Sequence, residues 1–125
     1  MSPIPSTGGM RRLLRLEGVA VALVTALIAW QLEPGWWLVL SVLIAPDLSL
    51  AGYAAGPRIG AAIYNAAHSY VGPALLAVPG LLQDGATVLS ISALWVLHIG
   101  VDRALGYGLK YPTGFGDTHL GRIGR

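Results

Sequence analysis

The sequence predicts an all-α protein, a four-transmembrane-helix antiparallel bundle with a short irregular C-terminal tail. Three observations predict it. Apolar residues make up 54% of the 125-residue chain and charged residues only 11%, where a soluble domain carries about 25% charge. The apolar residues fall into four runs, each near the ~20 residues that cross a hydrocarbon core of about 30 Å. Short breaks built on Gly, Pro, Asp and Glu separate the runs.

The first run extends from Leu13 to Trp30. Between Val19 and Ile28 its only polar residue is Thr25, so it lacks the polar face of a soluble bundle helix. It ends in Trp30-Gln31-Leu32-Glu33 with no small-residue cleavage site, and it reads as an uncleaved helix rather than a signal peptide. Glu33-Pro34-Gly35 leads to the second run, Trp36 to Ala54. Gly56-Pro57-Arg58 precedes the third, Ile59 to Leu82, and Gln83-Asp84-Gly85 precedes the fourth, Ala86 to Leu109. Turns this short make consecutive helices antiparallel neighbours. Residues 1–10 are rich in Ser, Pro and Gly and are expected to be flexible. Residues 11–109 form the membrane domain, and residues 110–125 a tail without hydrophobic period.

Charge orients the bundle. Arg11, Arg12 and Arg15 lie before or at the start of the first run, Arg58 lies in the second loop, and Arg103, Lys110, Arg122 and Arg125 lie at or beyond the end of the fourth. The other two loops carry only Glu33 and Asp84. The positive-inside rule then places both termini in the cytoplasm, in a bacterial cytoplasmic membrane. Trp30, Trp36 and Trp37 fall at the opposite interface, where indoles concentrate. A net charge of +2 is explained by topology and points to membrane lipid, not nucleic acid, as the partner. Assembly of identical copies is compatible with the pattern. The chain has no cysteine, which excludes disulfides and thiolate chemistry.

Glu17, Asp47, His68, His98 and Asp102 interrupt the apolar runs. Each costs at least ~2.5–3.5 kcal/mol in hydrocarbon, so such residues face a partner, a cavity or a metal. Measured at the helical rise from the cytoplasmic ends, Glu17, Asp47, Asn65 and Asp102 lie roughly 8–10 Å deep, and His68 and His98 roughly 15 Å. His98 and Asp102 are four apart on one helix face, as are Tyr64 and His68, with Asn65 beside them. Pro46 removes a backbone donor next to Asp47 and is expected to free the carbonyl near Val42. Gly100, Gly106 and the alanines 61, 62, 66 and 67 allow close helix approach around this polar centre.

Three readings fit these residues. Two imidazoles and two or three carboxylates suit a divalent metal such as zinc, iron or manganese, with Asp47, His68, His98 and Asp102 as ligands and Glu17 as general base for hydrolysis of a lipid or membrane-associated substrate. Alternatively they form a structural network that scaffolds a partner. In that network Asp102 orients His98, Asp47 bonds His68, Glu17 pairs with Arg103 or Arg15, and Arg103 snorkels to the surface. Intramembrane Asp, Glu and His also serve transport or proton relay. Tyr64, Asn65 and Arg103 would support the centre, and Asp117 and His119 of the tail would cap its mouth. Arg122 and Arg125 would meet anionic lipid.

The runs Ala45-Pro46-Asp47-Leu48-Ser49, Tyr64-Asn65-Ala66-Ala67-His68-Ser69-Tyr70, His98-Ile99-Gly100-Val101-Asp102-Arg103 and Gly106-Tyr107-Gly108-Leu109-Lys110-Tyr111-Pro112 resemble a small bacterial integral-membrane family catalogued as a domain of unknown function, number 4260. The likeness continues through Asp117-Thr118-His119-Leu120-Gly121 and carries no assigned activity. Pro46-Asp47, His68-Ser69 and His98 to Asp102 also resemble, in order, the motifs of YdjM-type membrane-bound metal-dependent hydrolases. That resemblance implies Asp47, His68, His98 and Asp102 as metal ligands. The pattern differs at Ser49, where a second Asp is expected, and at Ile63, where an earlier His is expected.

Overall fold

A computed structural model describes residues 8–113 and 115–122. It is all-α, with helices α1 (Gly8–Leu32), α2 (Trp36–Ile44), α3 (Pro57–His68), α4 (Val71–Leu82) and α5 (Ala86–Leu105), and a 3₁₀ helix, Ala45–Ala55, that continues α2. Three segments are long and apolar enough to cross a membrane: Gly8–Leu32, Trp36–Ala55 and Ala86–Leu105. Leu23, Leu27, Leu40 and Leu48 are all more than half exposed, a surface that hydrocarbon, not water, accommodates. Trp30, Trp36 and Trp37 project from the first turn at 75–81% exposure. The segment expected to be flexible is helical from Gly8 onward; its first seven residues lie outside the described ones.

The second span changes helix type at Pro46. Proline cannot donate a backbone hydrogen bond, and from Ala45 the chain adopts the tighter 3₁₀ winding. That winding rises ~2.0 Å per residue. Seven residues from Ala54 therefore carry Asp47 about 14 Å into the bundle, level with the histidines rather than above them.

The third span is broken. In place of one helix from Ile59 to Leu82, α3 and α4 are two helices of 12 residues each. Ser69 between them is extended (φ −99°, ψ 156°). Pro73 explains the position of the break: it fits in the first turn of a new helix but cannot extend an old one. Backbone that leaves helical geometry among packed apolar helices needs other partners for its polar groups, and side chains from α5 supply them. Trp95 Nε1 donates to the Ala67 carbonyl at 2.7 Å, and Arg103 donates to the His68 carbonyl at 3.0 Å.

The hub is α5, against which α1, α2 and α4 pack, while α3 packs on the 3₁₀ helix. The short loops predicted sequential neighbours, but α1 packs mainly across the bundle on α5. The reason is steric. A Cβ on Gly18 would lie 2.8 Å from the Gly100 carbonyl, and one on Gly100 would lie 3.0 Å from the Gly18 carbonyl. Only paired glycines permit that approach. Arg15 adds a bond to the Ala104 carbonyl at 2.9 Å.

α5 ends at Leu105, before the expected Leu109. Gly106 turns left-handed (φ 92°), its N–H donates to Arg103 and that of Tyr107 to Asp102, which is a Schellman stop. The chain then folds back on the bundle. Asp117–Thr118 pairs antiparallel with Gly121–Arg122, Lys110 bridges to Thr118, and Leu120 is 2% exposed.

Candidate metal centre

Three elements deliver the four side chains, one each from the first two and two from α5. The 3₁₀ helix supplies Asp47, the last residue of α3 supplies His68, and α5 supplies His98 and Asp102. One ligand atom from each lies within 4.8 Å of all the others. His68 Nε2 and His98 Nε2 are 3.3 Å apart. Asp47 Oδ1 is 3.2 Å from both. Asp102 Oδ2 is 3.4 Å from His68 Nε2 and 3.2 Å from His98 Nε2.

The far side of each imidazole decides what these atoms are. His68 Nδ1 lies 3.0 Å from the Tyr64 carbonyl and His98 Nδ1 lies 2.6 Å from the Leu43 carbonyl. A carbonyl only accepts, so both Nδ1 atoms carry protons. In the neutral rings both Nε2 atoms then present lone pairs inward. Two lone pairs and two carboxylate oxygens converge with no donor among them, an arrangement that calls for a cation or for added protons. An ion about 2.0 Å from four ligands in a tetrahedron holds them about 3.3 Å apart, and the five separations above match. The backbone carbonyls behind the rings are the usual orienting partners of ligating histidines.

Helix type explains which carbonyl is used. In an α-helix Pro46 would free the carbonyl four residues earlier, near Val42. In 3₁₀ winding the bond reaches back three residues, so the freed acceptor is Leu43, and His98 takes it. His68 is 0% exposed and His98 8%; the Asp47 side chain is 53% exposed, against 18% for Asp102. The cluster is therefore closed on three sides and open at Asp47.

The family model described as "Domain of unknown function (DUF4260)" matches residues 11–123. The chain belongs to the DUF4260 family. No curated protein and no solved structure matches it, so likeness to the YdjM-type hydrolases rests on the motifs alone.

The other residues singled out in this DUF4260 chain fall around the cluster rather than in it. Glu17 is exposed on α1, and among the described residues it forms no ion pair with Arg15 or Arg103. Arg103 does not snorkel. It is 8% exposed, donates to the carbonyls of His68 and Tyr107, and lies 5.9 Å over the Tyr70 ring, so it caps the C-terminus of α3. Tyr64 stacks on His68, with ring centroids 3.8 Å apart and planes 9° from parallel.

Asn65 faces the tail: its amide donates to the Lys110 carbonyl at 2.8 Å and accepts from the Lys110 N–H at 2.6 Å. His119 Nδ1 accepts from the Leu109 N–H at 2.8 Å, and burial together with Arg103 holds its pKa below the usual histidine value. Asp117 accepts from the Thr113 hydroxyl at 2.7 Å. Both tail residues thus brace the tail's own turns. Ser49 bonds the Pro46 carbonyl, and Ile63 is 44% exposed, so neither replaces a ligand. The Leu43 carbonyl, Trp95 and Lys110 were missed from sequence. Only Trp95, an indole needing a partner in mid-span, carried a signal.

Proposed function

We propose that this DUF4260 protein is an integral-membrane metalloprotein. Asp47, His68, His98 and Asp102 hold one divalent ion, zinc, iron or manganese, and the ion serves hydrolysis of a lipid or other membrane-associated substrate. The observation that carries this reading is the convergence of four acceptors, five of whose six separations are 3.2–3.4 Å and all of which lie within 4.8 Å of one another, with both imidazole Nδ1 atoms directed at backbone carbonyls behind them. Such a set suits an ion better than a neutral network, because a network needs donors facing acceptors.

When bound, the ion supplies Lewis-acid chemistry and lowers the pKa of water toward ~7. The chain's own residues do the rest. The Tyr64 and Leu43 carbonyls fix the tautomers of His68 and His98. Arg103, holding the carbonyl of His68, keeps that residue in place at the end of a broken helix. Asp47 lies on the open side, where water and substrate would enter, and its carboxylate oxygen that does not hold the ion is better placed than Glu17 to accept a proton. Loop charge puts this end of the bundle, with both termini, on the cytoplasmic side, and a reporter fused after Arg125 should read cytoplasmic.

Elemental analysis of the mildly detergent-purified protein tests the centre. The expected result is one ion per chain, lost in His98→Ala and Asp102→Ala, with chelator-sensitive release of product from ester or phosphoester lipids. A parent protein without bound metal would overturn the proposal. The broken third span favours one other reading, since discontinuous helices recur at transporter sites. Proton or solute uptake into liposomes without hydrolysis would select it.

A further inference from the structure

Lys110 is the least explained charge in the fold. It is 4% exposed, and among the described residues its ammonium makes no hydrogen bond or ion pair. Its neighbours are two aromatic rings: Nζ lies 3.8 Å from the Phe115 centroid and 4.8 Å from that of Tyr64. Burial lowers its pKa, and the field of Asp102 pushes it back up. An ammonium has three donors, and aromatic faces attract its charge without offering those donors a lone pair.

Its position is built. The double bond from Asn65 grips the Lys110 backbone, so the side chain leaves from a fixed point. Tyr64, one of its two rings, is the ring stacked on His68. Tyr64 therefore neighbours both the ammonium and a histidine of the cluster. Phe115, its other neighbour, is 51% exposed and covers it from outside.

We propose that Lys110 is the anion-binding group of this site and that the ligand carries a phosphoryl group reaching from the ammonium toward the Asp47–His98 cluster. Three phosphoryl oxygens match three N–H donors, and lysine binds phosphate as a point charge. An incoming phosphoryl group displaces Phe115 and gives the ammonium charged acceptors. The two carboxylates would repel an anion, so approach to the cluster end rests on the metal reading above; the ammonium end does not. A membrane presents this chemistry as a phospholipid headgroup, and the cytoplasm presents it as free phosphate.

Two probes separate the sources: inorganic phosphate added to the full-length protein in detergent, and phosphatidic acid in phosphatidylcholine nanodiscs. Binding is read by calorimetry and ³¹P resonance, with and without chelator. Lys110→Met should weaken binding at least tenfold, Lys110→Arg should stay within a few-fold of the parent, and Phe115→Ala should bind more tightly. All three keep the backbone grip of Asn65, so melting temperatures should stay near the parent's. Binding of only one probe identifies the source. If the chelated protein still loses phosphate on Lys110→Met, the inference stands even where the metal reading fails. Binding by Lys110→Met equal to the parent's, or by the parent to neither probe, would overturn it.

Discussion

Replacing Arg103 tests whether the broken third span is held by a side chain. Arg103→Met keeps most of the apolar stem and removes the guanidinium. Two hydrogen bonds from a charged donor are lost, to the His68 carbonyl at 3.0 Å and to the Tyr107 carbonyl at 3.2 Å. Bonds of this kind contribute about 1.5–3 kcal/mol each. The His68 carbonyl is then left unpaired beside a fully buried ring, while the Tyr107 carbonyl lies nearer the surface and loses less. A net destabilisation of about 3–5 kcal/mol follows, a fall in Tm of roughly 10–20 °C at this chain length. Arg103→Lys keeps a charge but not the fork, and should lose about half as much. The assay is thermal unfolding in detergent micelles, followed by the near-ultraviolet signal of the tryptophans. An Arg103→Met protein that melts within 3 °C of the parent would refute the idea that this guanidinium caps α3.

Three further outcomes follow from packing and charge. Gly18→Ala drives a Cβ to 2.6 Å from the Arg103 Cβ and 2.7 Å from the Ala104 nitrogen, so it should cost about 1–3 kcal/mol by overpacking; Gly9→Ala, with nothing within 4 Å, should be neutral or stabilising, and equal melting of the two would contradict the α1–α5 contact. Asn65→Ala loses both bonds to Lys110, about 1–3 kcal/mol in total, and should speed tryptic cleavage of the tail without unfolding the bundle. The third concerns pH. Because the folded pKa of His119 is lowered, the unfolded tail takes up a proton first as pH falls through about 6.5. The contribution is intact above that value and fades as the pH falls below it. Protonation of Nδ1 would also remove the acceptor of the Leu109 N–H. Protection of the Leu109 amide against hydrogen exchange, corrected for intrinsic rate, should fall between pH 7.5 and 5, and His119→Asn should flatten that dependence.

Much of the candidate site could be read before any coordinates. Asp47, His68, His98 and Asp102 stand out because charge in a long apolar run is costly, and that cost is visible in one dimension. Their depths were less legible. Counting at the α-helical rise set Asp47 apart from the histidines, since the change to 3₁₀ winding at Pro46 is a backbone choice that composition does not announce. Arg103 lies near a span end, where the sequence predicts a snorkelling charge; only the break after His68, in space beside it, offers the carbonyl it binds. The tail looked irregular because its contacts are made by Asn65 and by the buried Leu120, neither of which follows a period.

The sequence by itself determined the class of this protein. Run length, missing charge and short turns specify apolar helices, because those properties depend only on how many residues must leave water. It also determined which ionisable groups must find a partner. The tertiary structure decided who the partners are: that α1 reaches across to α5 through Gly18 and Gly100, that the third span stops at His68, and that both histidines turn their free nitrogens toward the same two carboxylates. Such choices depend on distances between residues remote in sequence, and steric fit and hydrogen-bond direction set them only when the helices have packed.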